Sequence, residues 1–411
     1  MRVVLVAFLA LLSGIFALSN GLDLFFRLSY LLIGLLVLGW TWARVSIAGV
    51  SVRMPSGITH TTMGQHAGVN VVVSNNHFLL KPWLEVRVES DLPMPPVPHV
   101  LQLSAGDSQT LAMDFYCGRR GRYTLGPIRV TSGDPFGLFK REIVLDASHY
   151  IVVYPETVDL PRFFLPPADL PGEGRHRRRT HFITPNAAGI REYVFGDSYN
   201  RIHWASTARN GKLMVKEFEL DPASETWIIL DLQRAVQAGS GLQSTEEYAI
   251  TLAASVAKIY LESNRPLGLL SYGRTLEVYR PERGGHQLAR LMETFALAEA
   301  RGDVPLSNLL AAEAGRFGKF STLLVITPSV DETWAHQLEN LMRRGARPSA
   351  IFLEADTFGG KESSLLVTSS LLASGVQTYS LKRHGSIQQA VQLLSTIAEG
   401  GREAEAERER S

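Results

Sequence analysis

Two long apolar runs open the chain. Val3 to Ser19 carries no charge, and after the polar turn Asn20 to Asp23 a second run extends from Leu24 to Ala43, broken only by Arg27. At 1.5 Å per residue the first run makes a helix of roughly 26 Å, close to the thickness of a hydrocarbon core, and Arg27 can snorkel to the interface. The pattern predicts a membrane hairpin. Arg2 precedes the first span and Arg44 and Arg53 follow the second, whereas the turn carries only Asp23. The positive-inside rule then places the rest of the chain in the cytoplasm, at the plasma (inner) membrane. Arg2, the first apolar run and Ala17-Leu18-Ser19 also fit a cleavable signal peptide. Cleavage would still leave the second span, with its C-terminal side cytoplasmic.

From residue 44 to 155 the period changes to two. Short runs such as VNVVVSNN, LEVRVESDLP, QTLAMDFYC, RYTLGPIRVTSGDP and REIVLD alternate apolar with polar positions between Gly, Pro, Asn and Asp clusters. They predict an antiparallel β-sandwich-like domain. In the turn GDPFGLF, Phe136, Leu138 and Phe139 are expected to point back to its core. Residues 156–190 have neither period, contain five prolines between Leu160 and Asn186, and carry Arg175, Arg177, Arg178 and Arg179. They read as a basic linker. Beyond Thr226 buried strands such as TWIILDLQ and STLLVITPS alternate with amphipathic helices, which predicts βα units on a parallel sheet, an α/β domain of Rossmann-like type within 191–400. Leu276 to Tyr279 is expected to form a hairpin with the strand PLGLLSYG. The tail 401–411 is a charged mixture of Arg and Glu.

Charge and composition narrow the function. With 41 basic against 40 acidic side chains in 411 residues, the formal net charge is +1. That argues against nucleic acid as a partner, for which a strongly basic domain is expected; the run RHRRR is a local exception at most. The single cysteine, Cys117, excludes an intrachain disulfide and a CxxC pair, and its place on a predicted strand makes it a packing residue.

Nucleophile elbow, P-loop, HExxH and GxGxxG motifs are all missing. The densest polar stretch is REYVFGDSYNRIHWASTAR, Arg191 to Arg209. Its arginines Arg191, Arg201 and Arg209 can be neutralised by Glu192, Asp197 and Glu217, while Tyr193, Ile202 and Trp204 supply apolar mass for packing against a sheet. No nucleophile and base pair stands out. The principal reading is a structural network; the alternatives are a ligand site using His203 and Arg209, or a hydrolase in which Asp197, His203 and Arg209 surround a scissile group.

The longer block HFITPNAAGIREYVFGDSYNRIHWASTARNGKLMVKEFELD resembles the signature of the bacterial family called domain of unknown function 58. Gly189, Arg191, Tyr193, Gly196, Asp197, Arg201, Ile202, Trp204, Ala208, Arg209, Leu213, Val215 and Glu217 fit its pattern. RRGRYTLGP, DPFGLF and VVYP, with the membrane hairpin and the α/β end, extend the likeness over nearly the whole chain. The resemblance implies a von Willebrand factor A-like C-terminal domain. It further implies a role beside MoxR-type AAA+ ATPases and other von Willebrand factor A-type membrane proteins.

Such a domain binds its metal through D-x-S-x-S after the first strand, one carboxylate and two hydroxyls being hard oxygen ligands. Here Asp231 is present, but Gln233 and Ala235 replace the two serines. Asp231 is thus expected to be the remnant of a metal site, with no metal or other cofactor. The expected function is a membrane-anchored scaffold or adaptor without catalysis, working in assembly or maturation of an envelope complex.

Overall fold

A computed structural model describes residues 2–94, 96–160, 187–193, 202–218, 225–318, 321–360, 363 and 365–385. Most of the basic linker, Gly196, Asp197, Arg201, the sequence after 385 and the charged tail lie outside the described residues. The chain divides into two compact units, Met1–Glu156 with Met292–Leu297, and Thr157–Leu291 with Ala298–Ser411.

The first unit begins with α1 (Arg2–Asn20) and α2 (Asp23–Ile47), joined by a turn in which Gly21 takes φ +65°. Both are long and apolar enough to cross a membrane. Small polar residues hold them together: the Ser13 hydroxyl donates to Phe25 O at 2.9 Å, and the Ser29 hydroxyl to Ala10 O at 3.1 Å. Such hydrogen bonds between helices suit an environment that offers no water to compete for them.

Nine strands follow: β1 (Val50–Arg53), β2 (Ile58–Thr62), β3 (His66–Asn75), β4 (Lys81–Ser90), β5 (His99–Leu103), β6 (Ser108–Tyr116), β7 (Gly121–Gly133), β8 (Lys140–Leu145) and β9 (His149–Tyr154). They form one sheet of order β1-β3-β6 and another of order β2-β9-β7-β4-β5, with β8 paired to β7. Alternation drives the packing. Val69, Val71 and Val73 of β3 share one core cluster with Val86 and Val88 of β4, Ile128 and Val130 of β7, and Cys117. Two sheets that bury their inner faces in one cluster make a sandwich.

The pairing departs from the expectation at one place, because β2 runs parallel to β9, from Ile58 opposite Tyr150 to Thr62 opposite Tyr154. Period-two alternation assigns faces, not partners, and these strands lie about ninety residues apart. The turn GDPFGLF also departs from its expectation: Phe136 is exposed. Asp134 accepts the backbone N–H groups of Phe136 and Phe139, which closes the turn too tightly to fold Phe136 inward.

In the second unit a hairpin precedes the α/β sheet. It comprises β10 (Ala187–Glu192), α3 (Trp204–Asn210) and β11 (Met214–Phe218). There follow β12 (Thr226–Leu230), β13 (Gly239–Ser240), β14 (Gln243–Ser244), α4 (Thr245–Glu262), β15 (Leu267–Tyr272) and β16 (Leu276–Glu282). Next come α5 (Gly285–Leu297), whose residues from Met292 onward count with the first unit, α6 (Leu306–Glu313), β17 (Thr322–Thr327), α7 (Thr333–Arg343), β18 (Arg347–Leu353), α8 (Leu365–Ala373) and β19 (Gln377–Leu381). The six-stranded sheet has the order β16-β15-β12-β17-β18-β19, parallel except for β16. Counted from β12, that is the doubly wound order 3-2-1-4-5-6. Its strands are buried on both faces, so β12, β15 and β17 are nearly continuous apolar runs. The expected hairpin of β15 with β16 is present, from Leu267 opposite Glu282 to Tyr272 opposite Leu276. Helices α6 and α8 were not expected. LSNLLAAE is only eight residues long, and LLVTSSLLA is apolar without a 3.6-residue period.

Candidate functional site

Two places gather polar side chains in the second unit. The first is the hairpin formed by the polar stretch. β10 lies antiparallel to β11, with Arg191 opposite Val215 and Glu192 opposite Met214. On the other side of β11, Ile202 bridges Val215. Among the described side chains of this element, Ile202 and Val215 are the buried apolar ones. Tyr193 is half-buried, and its N–H donates to Leu213 O at 2.8 Å.

Helix α3 is attached to β11 by backbone and hydroxyl bonds. His203 N–H donates to Met214 O at 2.8 Å, and Met214 N–H donates to the Thr207 hydroxyl at 3.0 Å. His203 caps the helix: its Nδ1 lies 2.8 Å from the Ser206 hydroxyl and accepts the Ser206 N–H at 3.2 Å. Gly211, at φ +65°, ends it in the left-handed conformation that glycine adopts without strain. Ser206 and Thr207 are half-buried against this framework, while Trp204, Ala205, Ala208 and Arg209 are exposed. Residues at i, i+1, i+4 and i+5 form one helical face.

Trp204 is therefore not core mass; 67% of its surface is exposed. The reason is local. Inward positions are taken by Ile202 before the helix and by the hydroxyls of Ser206 and Thr207 within it, which leaves the first helical residue facing outward. Arg209 stands in the last turn on the same face, and Glu192 pairs with Lys212 at 2.8 Å. His203 and Arg209 sit at opposite ends of α3, about 9 Å apart along its axis. Asp197, the third member of the hydrolytic alternative, lies outside the described residues together with Gly196 and Arg201, as does the side chain of Arg191.

The second place is the carboxyl end of the central strands. Chain connections leave β12 and β17 in opposite directions across the sheet, toward β15 and β18, which opens a crevice between their C-terminal ends, the usual ligand position in doubly wound sheets. Asp231 follows β12 and is buried. Its Oδ1 accepts Gln233 N–H at 3.0 Å and its Oδ2 accepts the hydroxyl of Thr327, the last residue of β17, at 2.6 Å. Thr327 Oγ1 in turn accepts Ser329 N–H at 2.9 Å. Behind Asp231, the Thr245 hydroxyl donates to Gln237 Oε1 at 2.7 Å, and Gln237 Nε2 donates to Asp231 O at 3.1 Å. Gly302 closes the floor, since a Cβ there would stand 2.4 Å from Tyr272 O.

Burial pushes the Asp231 carboxyl up from its ordinary 3.8 to about 6, against the opposing pull of Thr327 and Gln233. Both carboxylate oxygens have donors from the chain itself. Among the described residues no group of three or more His, Cys, Asp or Glu side chains comes together. Thr327 and Ser329 were missed in the sequence, where TPS after an apolar run carries no motif. Only the rule that the ends of strands 1 and 4 of this order adjoin could have found them. Thr245 belongs to this network, and Ser244 before it caps α4, accepting Glu247 N–H at 3.3 Å.

Residues 189–347 match the family model described as protein of unknown function DUF58. An uncharacterized protein of Bacillus subtilis (strain 168), YeaD, is 23% identical over 237 residues, 56% of either chain. An uncharacterized protein of Mycobacterium tuberculosis is 28% identical over 123 residues, 28% of this chain and 39% of its own. The chain thus spans about half, or less, of these relatives. Among solved structures, proximal thread matrix protein 1 from the mussel byssus covers 43% of the chain and 48% of its own at 8% identity, with a TM-score of 0.32. The CARDB domain of a Pyrococcus furiosus protein covers 25% of the chain and 84% of its own at 18% identity, with a TM-score of 0.18. Likeness at these scores bears on neither fold nor function.

Proposed function

We propose that this chain is a membrane-anchored cytoplasmic scaffold that binds protein partners through the exposed face of α3 and performs no catalysis. The observation that carries the reading is the outward face of Trp204, Ala205, Ala208 and Arg209 on a helix pinned from behind. Tryptophan and arginine are the residues most enriched where binding energy concentrates in protein interfaces. A rigid, pre-organised helix also loses little entropy on association. Within the family pattern, Ile202 and Val215 supply the packing, while Trp204, Ala208 and Arg209 supply the surface.

Anchoring is supported by the length and apolarity of α1 and α2. The cytoplasmic orientation is supported by Arg2, Arg44 and Arg53 flanking the hairpin against Asp23 in its turn. The 3-2-1-4-5-6 order with an antiparallel third strand, and Asp231 after strand 1, support a von Willebrand factor A-like reading of the α/β sheet. In this reading Asp231 is a structural remnant whose ligand positions are filled by Gln233 N–H and the Thr327 hydroxyl. Through the family resemblance, the partners proposed are a MoxR-type AAA+ ATPase and other von Willebrand factor A-type membrane proteins, in assembly or maturation of an envelope complex.

Pull-down of the full chain from detergent-solubilised membranes of its own host, with and without ATP, tests this. Recovery of an AAA+ ATPase is the expected result. Repeated recovery of no protein partner under either condition would contradict it.

A further inference from the structure

We infer that the β3–β4 and β7–β8 loops seat in the bilayer interface beside the end of α2, so that lipid holds the β-sandwich in addition to the helix. This rests on reading α1 and α2 as membrane-spanning.

The β7–β8 turn lies against the hairpin. A Cβ built on Gly39 of α2 would stand 3.2 Å from the ring of Phe139, and one on Gly137 would stand 3.3 Å from the guanidinium of Arg2. Gly39 precedes the last residue of α2 by eight positions, so the turn reaches roughly 12 Å back along the helix. That point falls inside the apolar run Leu24 to Ala43. The turn is stiff, because Asp134 accepts Phe136 N–H at 2.9 Å and Phe139 N–H at 2.5 Å. Phe136 is nonetheless 48% exposed. An aromatic side chain held outward at the depth of a membrane span meets acyl chains and headgroups, not water.

The β3–β4 loop is bonded to the end of the same helix. Asn76 N–H donates to Gly49 O at 2.8 Å, and the buried Lys81 ammonium donates to Val45 O at 2.5 Å, satisfying a carbonyl in the last turn of α2. Asn75 Nδ2 donates to Leu79 O at 2.9 Å. These bonds fix a loop in which Phe78, Leu79 and Leu80 are all exposed. Three consecutive large apolar side chains facing solvent is a pattern that folded surfaces avoid without a functional reason.

Charge and aromatic placement favour lipid over a protein partner. Arg44 lies over the Trp40 ring at 4.2 Å, and Lys140, over Trp83 at 5.8 Å, and Arg141 are exposed directly after the turn. Tryptophan with flanking Arg and Lys is the composition of a membrane interface on the side of anionic headgroups. The rim is also continuous with the spans themselves, where a protein partner would have to displace lipid.

The test uses the full chain reconstituted in vesicles of phosphatidylcholine and phosphatidylglycerol containing a nitroxide-labelled lipid. An environment-sensitive fluorophore is placed in turn at Leu31→Cys, Phe78→Cys, Phe136→Cys and Val97→Cys. Native Cys117 is buried, so the introduced thiol takes the label. β4 starts at Lys81 beside α2 and runs for ten residues, roughly 30 Å, and Val97, two residues before His99 opposite Val86, stands near its far end. Quenching at 31, 78 and 136 but not at 97 is expected. Quenching at 31 alone would overturn the inference and leave the anchor standing, and quenching at 97 equal to that at 78 and 136 would overturn it too. Absence of quenching at 31 would overturn the anchor, and this inference with it.

Discussion

Thr327 donates its hydroxyl to the Asp231 carboxylate at 2.6 Å while accepting the Ser329 N–H at 2.9 Å. One side chain thereby ties the ends of the two central strands together. Thr327→Val preserves the shape and removes both bonds, leaving a buried carboxylate oxygen and a buried N–H without this partner. The expected cost is about 1 to 3 kcal/mol of unfolding free energy, measured by denaturant titration of the purified chain. No loss of stability would show that the bond is dispensable.

Asp231 gives the fold a defined pH dependence. Its carboxyl titrates at about 6 when folded and near 3.8 when unfolded. Between those values the folded state holds the proton more tightly, so stability falls as pH rises from about 4 to 6, by on the order of 3 kcal/mol. Below about 4 both states are protonated and the penalty vanishes. Asp231→Asn removes the titrating group, and denaturation midpoints compared at pH 4 and pH 7 should show a smaller fall in the variant than in the parent. Equal falls would place the pH dependence elsewhere.

The family pattern separates into packing and surface positions. Ile202 is buried against Val215, and Ile202→Ala is expected to cost about 2 to 5 kcal/mol. Trp204→Ala on the exposed face is expected to change stability by no more than about 0.5 kcal/mol. Thermal denaturation of the two variants side by side checks the division, and a reversed order would return Trp204 to the core.

Gly302 is a matter of space, not of dihedral angle. With Tyr272 O only 2.4 Å from where its Cβ would be, Gly302→Ala must shift backbone and is expected to lose roughly 1 to 3 kcal/mol. A melting curve superimposed on that of the parent would show that the loop yields freely.

Much of this was legible where one physical signal dominated. The uncharged run from Val3, the alternation in VNVVVSNN and the solid apolar strand TWIILDLQ each predict one type of element, and α1, β3 and β12 follow them. Alternation could not reveal that β2 runs parallel to β9, because partner choice depends on contacts far apart in sequence. Trp204 departs from its expected burial for a related reason. A large aromatic ring suggests burial, but its orientation is set by the cap at His203 and the inward Ser206 and Thr207, which composition does not encode. Thr327 carries no motif, and its role comes only from the order of strands in the sheet.

The proposed scaffold function requires the outward face of α3 to be a binding surface. The most direct measurement is capture of protein partners from detergent-solubilised membranes by the parent chain and by Trp204→Ala and Arg209→Glu, with the melting temperature of each variant recorded in parallel. Both variants are expected to melt with the parent while partner capture falls at least tenfold, which corresponds to about 1.4 kcal/mol. Undiminished capture by both variants at unchanged melting temperature would contradict the proposed function.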